Sequence, residues 1–411
     1  MIYDCLIIGA GASGLYCACR LLYKHKCSVA IIDSNHVPGK KLLLTGGGRC
    51  NLSNSTVNTD NYFSDDNSAV ESIIRDHDPS CTVNFFEQVL GMSVTSKDNL
   101  IYPSTFRSST VVDALYNYLI DKNADMFFDE TVDSVIYNDG YYLINGTYRS
   151  RCVVFAAGGA SYPKTGSNGS YMSILSNLSD NVTVLPLRPS LVPLIAADRD
   201  IKKLSGARIY CDICLYSDNT LTDRIASSSG ELLFTDYGIS GIMVLDISGA
   251  AVRLMARGGK PVVSINLLKM STEQAKDLIE RLVSMFPNRR VIDAISGIIR
   301  DDILLVVLGR IKLNRDKECH QMSAAEVNAL AENLTSFRLI ISGSKDLDMA
   351  QVTTGGISFS SVDNNLQIKG LDKVFVCGES LNCDGICGGY NLQFAWSSAD
   401  KVSEGVINCL K

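Results

Sequence analysis

The chain opens on an apolar run, Tyr3 to Ile8, followed by Gly-Ala-Gly-Ala-Ser-Gly and a stretch of helical character from Ala12 to Tyr23. A second apolar run, Ser28 to Ile32, ends in Asp33. Short apolar runs bounded by turn residues predict strands buried on both faces. The order is strand, glycine turn, helix, strand, which is a βαβ unit with a parallel sheet. The pattern also predicts a helix over Ser109 to Leu119 and a buried strand over Arg151 to Ala156, which runs into Gly158 and Gly159.

The pattern changes after Leu187. Pro186, Pro189 and Pro193 punctuate the chain, and strand-like stretches (Ala207 to Tyr216, Val262 to Leu267) mix with helix-like ones. Ser271–Gln274 and Ser323–Glu326 fit the capping box that starts a helix. From about Asp346 the first style returns: a strand from Val374 to Cys377, a glycine-rich turn, and a helix from Leu392 to Val402. We therefore divide the chain into residues 1–187, 188–345 and 346–411, the middle piece being an inserted domain. No internal repeat is visible.

Composition narrows the reading only slightly. The 411 residues are 46% hydrophobic and 20% charged, an ordinary globular balance. A net charge of −6 argues against a basic nucleic-acid-binding surface. The N-terminus lacks a basic leader region, and no apolar run reaches the roughly 18 residues that span a bilayer. With 14 cysteines in a chain this long, the expectation is a cytoplasmic protein with reduced thiols.

Gly9, Gly11 and Gly14 form G-x-G-x-x-G in the context that gives the motif meaning: after an apolar strand, opening a helix, with Asp33 ending the next strand. Gly9 permits the tight turn, Gly11 lets backbone approach a pyrophosphate, and Gly14 allows close helix–strand packing. Asp33 can accept hydrogen bonds from a ribose diol. The motif alone does not separate NAD from FAD. A second cluster, Lys40 to Asn54, carries three glycines followed by Arg49, Cys50 and Asn51, and Lys41 and Arg49 bring positive charge. Cys50 has no cysteine within redox-disulfide reach. Cys211 and Cys214 lie three apart in a strand pattern and so point to opposite faces. The four histidines form no spaced cluster, so no metal is expected. Gly378–Glu379 ends the strand at Val374, and Asp384 precedes Gly388-Gly389-Tyr390-Asn391, which opens the last helix. Such a helix start suits the electron-rich edge of a flavin.

Taken together, GAGASGL, KKLLLTGGGRCNLSN, FAAGGASYPKTGSNG, LLFTDYGISG, TTGGIS and CGESLNCDGICGGYNLQFAWSSA resemble, in order and over nearly the whole chain, the YhiN/BaiN-like NAD(P)/FAD-dependent oxidoreductases. The resemblance implies an α/β protein with a Rossmann-like, glutathione-reductase-like FAD-binding domain. That domain is split in sequence by an inserted β-barrel-like and helical domain. It implies FAD contacts at Gly9, Gly11, Ala12, Ser13, Gly14 and Asp33. In the second cluster it implies Lys41, Arg49, Cys50 and Asn51, and beyond it Val132, Ala157 and Gly158. At the C-terminal end it implies Gly378, Glu379, Asp384, Gly388, Gly389, Tyr390 and Asn391. The family's insert motif usually reads FTHxGlSGP; here Asp236 stands for its histidine and Ile242 for its proline.

The expected activity is hydride transfer between flavin N5 and a small organic substrate seated between the flavin and the inserted domain. The leading case is reduction of a conjugated C=C bond with NAD(P)H as candidate donor. Alternatives are an amine or aminoketone oxidase using oxygen, an RNA-associated flavoprotein, and a non-catalytic flavin-binding protein. No catalytic residue is identified; Arg49, Tyr162, Lys164, Tyr237 and Tyr390 lie on motif loops as proton-donor candidates. The expected partners are a small-molecule substrate, with no nucleic acid and no membrane.

Overall fold

A computed structural model describes all residues from Met1 to Lys411. The chain forms two compact units, one made of Met1–Arg188 with Ala350–Lys411 and the other of Pro189–Met349.

The first unit is built on a parallel sheet. Strand β1 (Ile2–Ile8) leads into helix α1 (Ala12–Lys24) and strand β2 (Val29–Ile32). Three more strands join them: β3 (Asp125–Phe127), β4 (Tyr148–Phe155) and β5 (Val374–Val376). The pairings are all parallel and give the order β3-β2-β1-β4-β5. Registers align Phe127 with Ile32, Ile32 with Ile8, Ile8 with Phe155 and Phe155 with Val376. The five strands therefore end in one row. The order in which successive strands are added reverses between β1 and β4, the switch point at which open α/β sheets bind ligands.

Helix α2 (Tyr390–Leu410) packs along α1. A chain of buried polar groups joins them. Tyr16 Oη lies 2.8 Å from His77 Nε2, and His77 Nδ1 lies 3.1 Å from Asp400 Oδ2. Asp400 also accepts from Arg20 and Lys24. The β4 edge carries a hairpin of Val135–Asn138 and Tyr141–Ile144. The first strand of this hairpin begins at Val135, and Val132 sits in the irregular approach to it. Small strands at Ser53–Asn54, Val94–Lys97 and Leu100–Pro103 form a separate three-stranded sheet.

The second unit is a closed six-stranded barrel with helices around it. The strands run in the order Leu194–Ala196, Gly238–Ser240, Arg224–Phe234, Arg208–Tyr216, Val262–Asn266 and Phe337–Ser344. Cys211, Ile213 and Leu215 alternate inward along one strand, while Cys214 faces the other side. Both expected capping boxes form, at Ser271 with Gln274 and at Ser323 with Glu326. No helix is long and apolar enough to cross a membrane.

Candidate functional site

The row of strand ends gathers the glycine motifs. Gly9, Asp33, Ala156 and Cys377 each follow the last residue of an adjacent strand. Gly9 takes φ +109°, and a β-carbon there would lie 2.5 Å from the Ala156 carbonyl oxygen. A β-carbon on Gly14 would overlap the Gly9 carbonyl. These two glycines are demanded by the chain's own packing.

Gly11 differs. Its backbone is extended (φ −82°, ψ −169°), and a β-carbon there would meet nothing within 4 Å. Neither conformation nor packing requires glycine at 11. Gly11 is also the N-cap of α1, and no side chain caps that helix. The first N–H groups of a helix have no partner within it and carry the positive end of its dipole. Open space at an uncapped helix start, where only a larger residue at 11 would intrude, fits a pyrophosphate.

Asp33 closes the β2 side of this space. Its Oδ2 accepts from Ala10 N (2.6 Å) and its Oδ1 from Asn35 N (2.7 Å). The approach to Val132 runs beside it, with Glu130 N donating to Asp33 O (3.1 Å) and Asp129 N to Asn35 O (3.1 Å). Val132 is half-buried there. On the β5 side, Gly378 packs against Ser13 of α1.

Lys41 ties the second glycine cluster to both later strand ends. Its Nζ donates to Glu379 Oε2 (2.7 Å) and to Ser161 Oγ (2.5 Å). Ser161 Oγ in turn donates to Glu379 Oε1 (3.0 Å), which also accepts from Thr353 N (2.8 Å). Thr353 Oγ1 accepts from Ala160 N and Ser161 N. Ser161 and Thr353 lie within motifs visible in the sequence, yet nothing local assigned them a role.

The loop Leu42–Gly48 brings Gly46, Gly47, Gly48 and Arg49 to the surface. Cys50 turns inward, and burial pushes its thiol up to about 12. Asn51 reaches the start of α2: its Oδ1 accepts from Gly389 N (3.0 Å) and its Nδ2 donates to Ser53 O (2.9 Å). Asn54 Nδ2 donates to Gly388 O (3.1 Å).

Other expected contact residues are engaged by the chain itself. Asn391 exchanges hydrogen bonds with Gly385, donating to its carbonyl and accepting from its N–H (both 2.9 Å). Tyr390 Oη accepts from Asn61 Nδ2 (3.1 Å), and Asp384 is buried. At α2 it is therefore backbone, rather than these side chains, that is left to meet a ligand. Ala12 begins α1, and Ala157 and Gly158 are half-buried at the end of β4. Among the proton-donor candidates, Lys164 and Arg49 are exposed and Tyr162 is half-buried. Tyr237 belongs to the barrel unit, where Lys345 Nζ stands 3.8 Å from its ring centre. No group of three or more His, Cys, Asp or Glu side chains is placed to hold a metal.

The chain is similar to known proteins along nearly its whole length. The profile of the HI0933-like protein Rossmann domain matches residues 3–405. The chain is 26% identical to the 3-dehydro-bile acid delta(4,6)-reductase of Clostridium scindens, over 95% of this chain and 96% of that protein. It is 27% identical to the ribosomal RNA dihydrouridine synthase of Escherichia coli, over 98% of each. The solved structure of 3-ketosteroid delta1-dehydrogenase from Sterolibacterium denitrificans covers 99% of each chain at a TM-score of 0.50 and 10% identity, a likeness of fold. The chain belongs to the HI0933-like protein Rossmann-domain family and is an FAD-dependent oxidoreductase.

Proposed function

We propose that the protein reduces a C=C bond conjugated to a carbonyl group, with NAD(P)H as electron donor. Bound FAD supplies two-electron redox chemistry at such a site. The observation that carries the cofactor's placement is Gly11, whose missing side chain nothing in the protein requires.

The chain's own residues divide the work. The uncapped start of α1 faces the pyrophosphate, and Asp33 the adenosine ribose. Glu379, held by Lys41, Ser161 and Thr353, fixes the turn after β5 against the ribityl chain. The backbone at the start of α2 presents N–H groups to the flavin ring. Of the residues expected from the motifs, Gly9, Ala12, Ser13, Gly14, Ala157, Gly158, Gly378, Gly388 and Gly389 act through shape and backbone. Lys41 and Arg49 act through charge.

The names of two relatives support the reaction class. A delta(4,6)-reductase acting on a 3-dehydro-bile acid and a dihydrouridine synthase both saturate a C=C bond conjugated to a carbonyl. The second name gives a specific reason to weigh a uracil ring in RNA as the acceptor. Net charge alone does not decide against it, because a local surface suffices to bind a polyanion.

Anaerobic photometry tests the reading. NAD(P)H should bleach the bound flavin, and either a conjugated steroid ketone or a uridine-containing ribosomal RNA fragment should restore the colour. The acceptor that works names the substrate class. Bleaching by an amine, with no recovery on adding either acceptor, would make the protein an oxidase instead.

A further inference from the structure

The segment between Ala160 and Gly169 crosses the row of strand ends. On one side Ser167 presses against the end of β4: a β-carbon on Gly158 would lie 2.9 Å from Ser167 Oγ. On the other side Asn35 Nδ2, just past the end of β2, donates to Thr165 O (2.9 Å). Gly166 packs against the same Asn35 side chain. In the sheet, β1 lies between β2 and β4. A segment anchored at both neighbours therefore passes the end of β1, where Gly11 and the start of α1 stand.

This strap is fixed internally. Ala160 N and Ser161 N donate to Thr353 Oγ1, and Thr165 Oγ1 donates to Tyr162 O (2.7 Å). One group in it is not satisfied. Ser167 is 6% exposed, and its Oγ has no hydrogen-bond partner in the chain. A buried hydroxyl without a partner carries an uncompensated desolvation penalty, so native proteins rarely keep one without cause.

We propose that Ser167 is a cofactor-binding residue: its hydroxyl donates to a phosphate oxygen of the dinucleotide laid across the end of β1, and the strap closes over the pyrophosphate. The inference rests on the FAD site proposed above. Asn35 links it to the ribose end, because the same side chain donates to Asp33 Oδ1 (2.8 Å) and to Thr165 O. Contact with the ribose-binding carboxylate thus sets the position of the strap.

The test uses the full-length protein stripped of flavin, in wild-type form and as Ser167→Ala. FAD and ADP are titrated into each, and thermal unfolding of each is recorded without ligand. Loss of a hydrogen bond to a charged phosphate should weaken both FAD and ADP roughly tenfold or more. The ligand-free variant should melt no lower than wild type, because the deleted hydroxyl bonds to nothing in the chain. Unchanged FAD affinity overturns the proposal. So does a variant that weakens FAD but not ADP, or one whose ligand-free form is destabilised, since either outcome moves the hydroxyl's partner away from the pyrophosphate. Failure of the wild type to bind FAD at all would instead sink the cofactor site itself.

Discussion

Lys41 Nζ stands 2.7 Å from Glu379 Oε2 across 338 positions of sequence, joining the second glycine cluster to the turn that ends β5. Both side chains are about one-fifth exposed. The pair holds segments from the two ends of the chain in one place, and Ser161 and Thr353 complete it.

Removing Lys41 leaves a partly buried carboxylate without its cation. Lys41→Met should cost roughly 1.5–3 kcal/mol of unfolding free energy, the worth of a hydrogen bond to a charged group. Urea unfolding of Lys41→Met, Glu379→Gln and the double variant checks this. The two losses should fall well short of adding; full additivity would mean the pair is not coupled.

Two glycines three residues apart should behave oppositely. Gly14→Ala forces a β-carbon into the Gly9 carbonyl and should destabilise the protein by about 1–3 kcal/mol. Gly11→Ala adds its β-carbon to open space and should cost about 1 kcal/mol or less in the flavin-free protein, mainly as a poorer helix cap. Thermal unfolding of both stripped variants makes the comparison; equal losses would contradict it.

The buried contact between α1 and α2 should make stability acid-sensitive. Burial pushes the Asp400 carboxyl up, but hydrogen bonding and charge from His77 and Arg20 outweigh it and hold the group well below the usual carboxylate range. A depressed folded-state pKa contributes stability that is present above about pH 4 and lost as pH falls further. Asp400→Asn should lose about 3–5 kcal/mol at pH 7, because Arg20 loses its buried partner. That deficit should shrink below pH 4. Denaturant melts across pH read it, and a deficit that stays constant into acid would refute the assignment.

Cysteine chemistry should play no part in turnover. All 14 cysteines are free, and Cys50 is fully buried with its thiol pushed up to about 12. Cys81 is the exposed one. Mild iodoacetamide treatment of the folded protein should label Cys81 first and spare Cys50, as peptide mass mapping will show. Early modification of Cys50 would restore a redox role.

Local pattern carried the first βαβ unit, because apolar runs, a glycine turn and Asp33 are all neighbours in sequence. It also carried both capping boxes, which depend on residues three apart. It could not carry β3, whose Asp-Met-Phe is too short to read as a strand. Helix α2 runs to Leu410, beyond the expected Val402, since Ser403, Glu404 and Gly405 weaken its apolar stripe. In the site, the glycines were legible from the motif. The lysine–glutamate tie and the unsatisfied Ser167 were not, because each is a relation between segments that only folding brings together.

The central claim is that FAD lies across the end of β1, in the space beside Gly11. Flavin content of purified Gly11→Val, read from its visible absorption spectrum against wild type, tests it most directly. The account predicts a folded but colourless variant beside a yellow wild type with about one FAD per chain. A folded variant that keeps the full complement of flavin would contradict it.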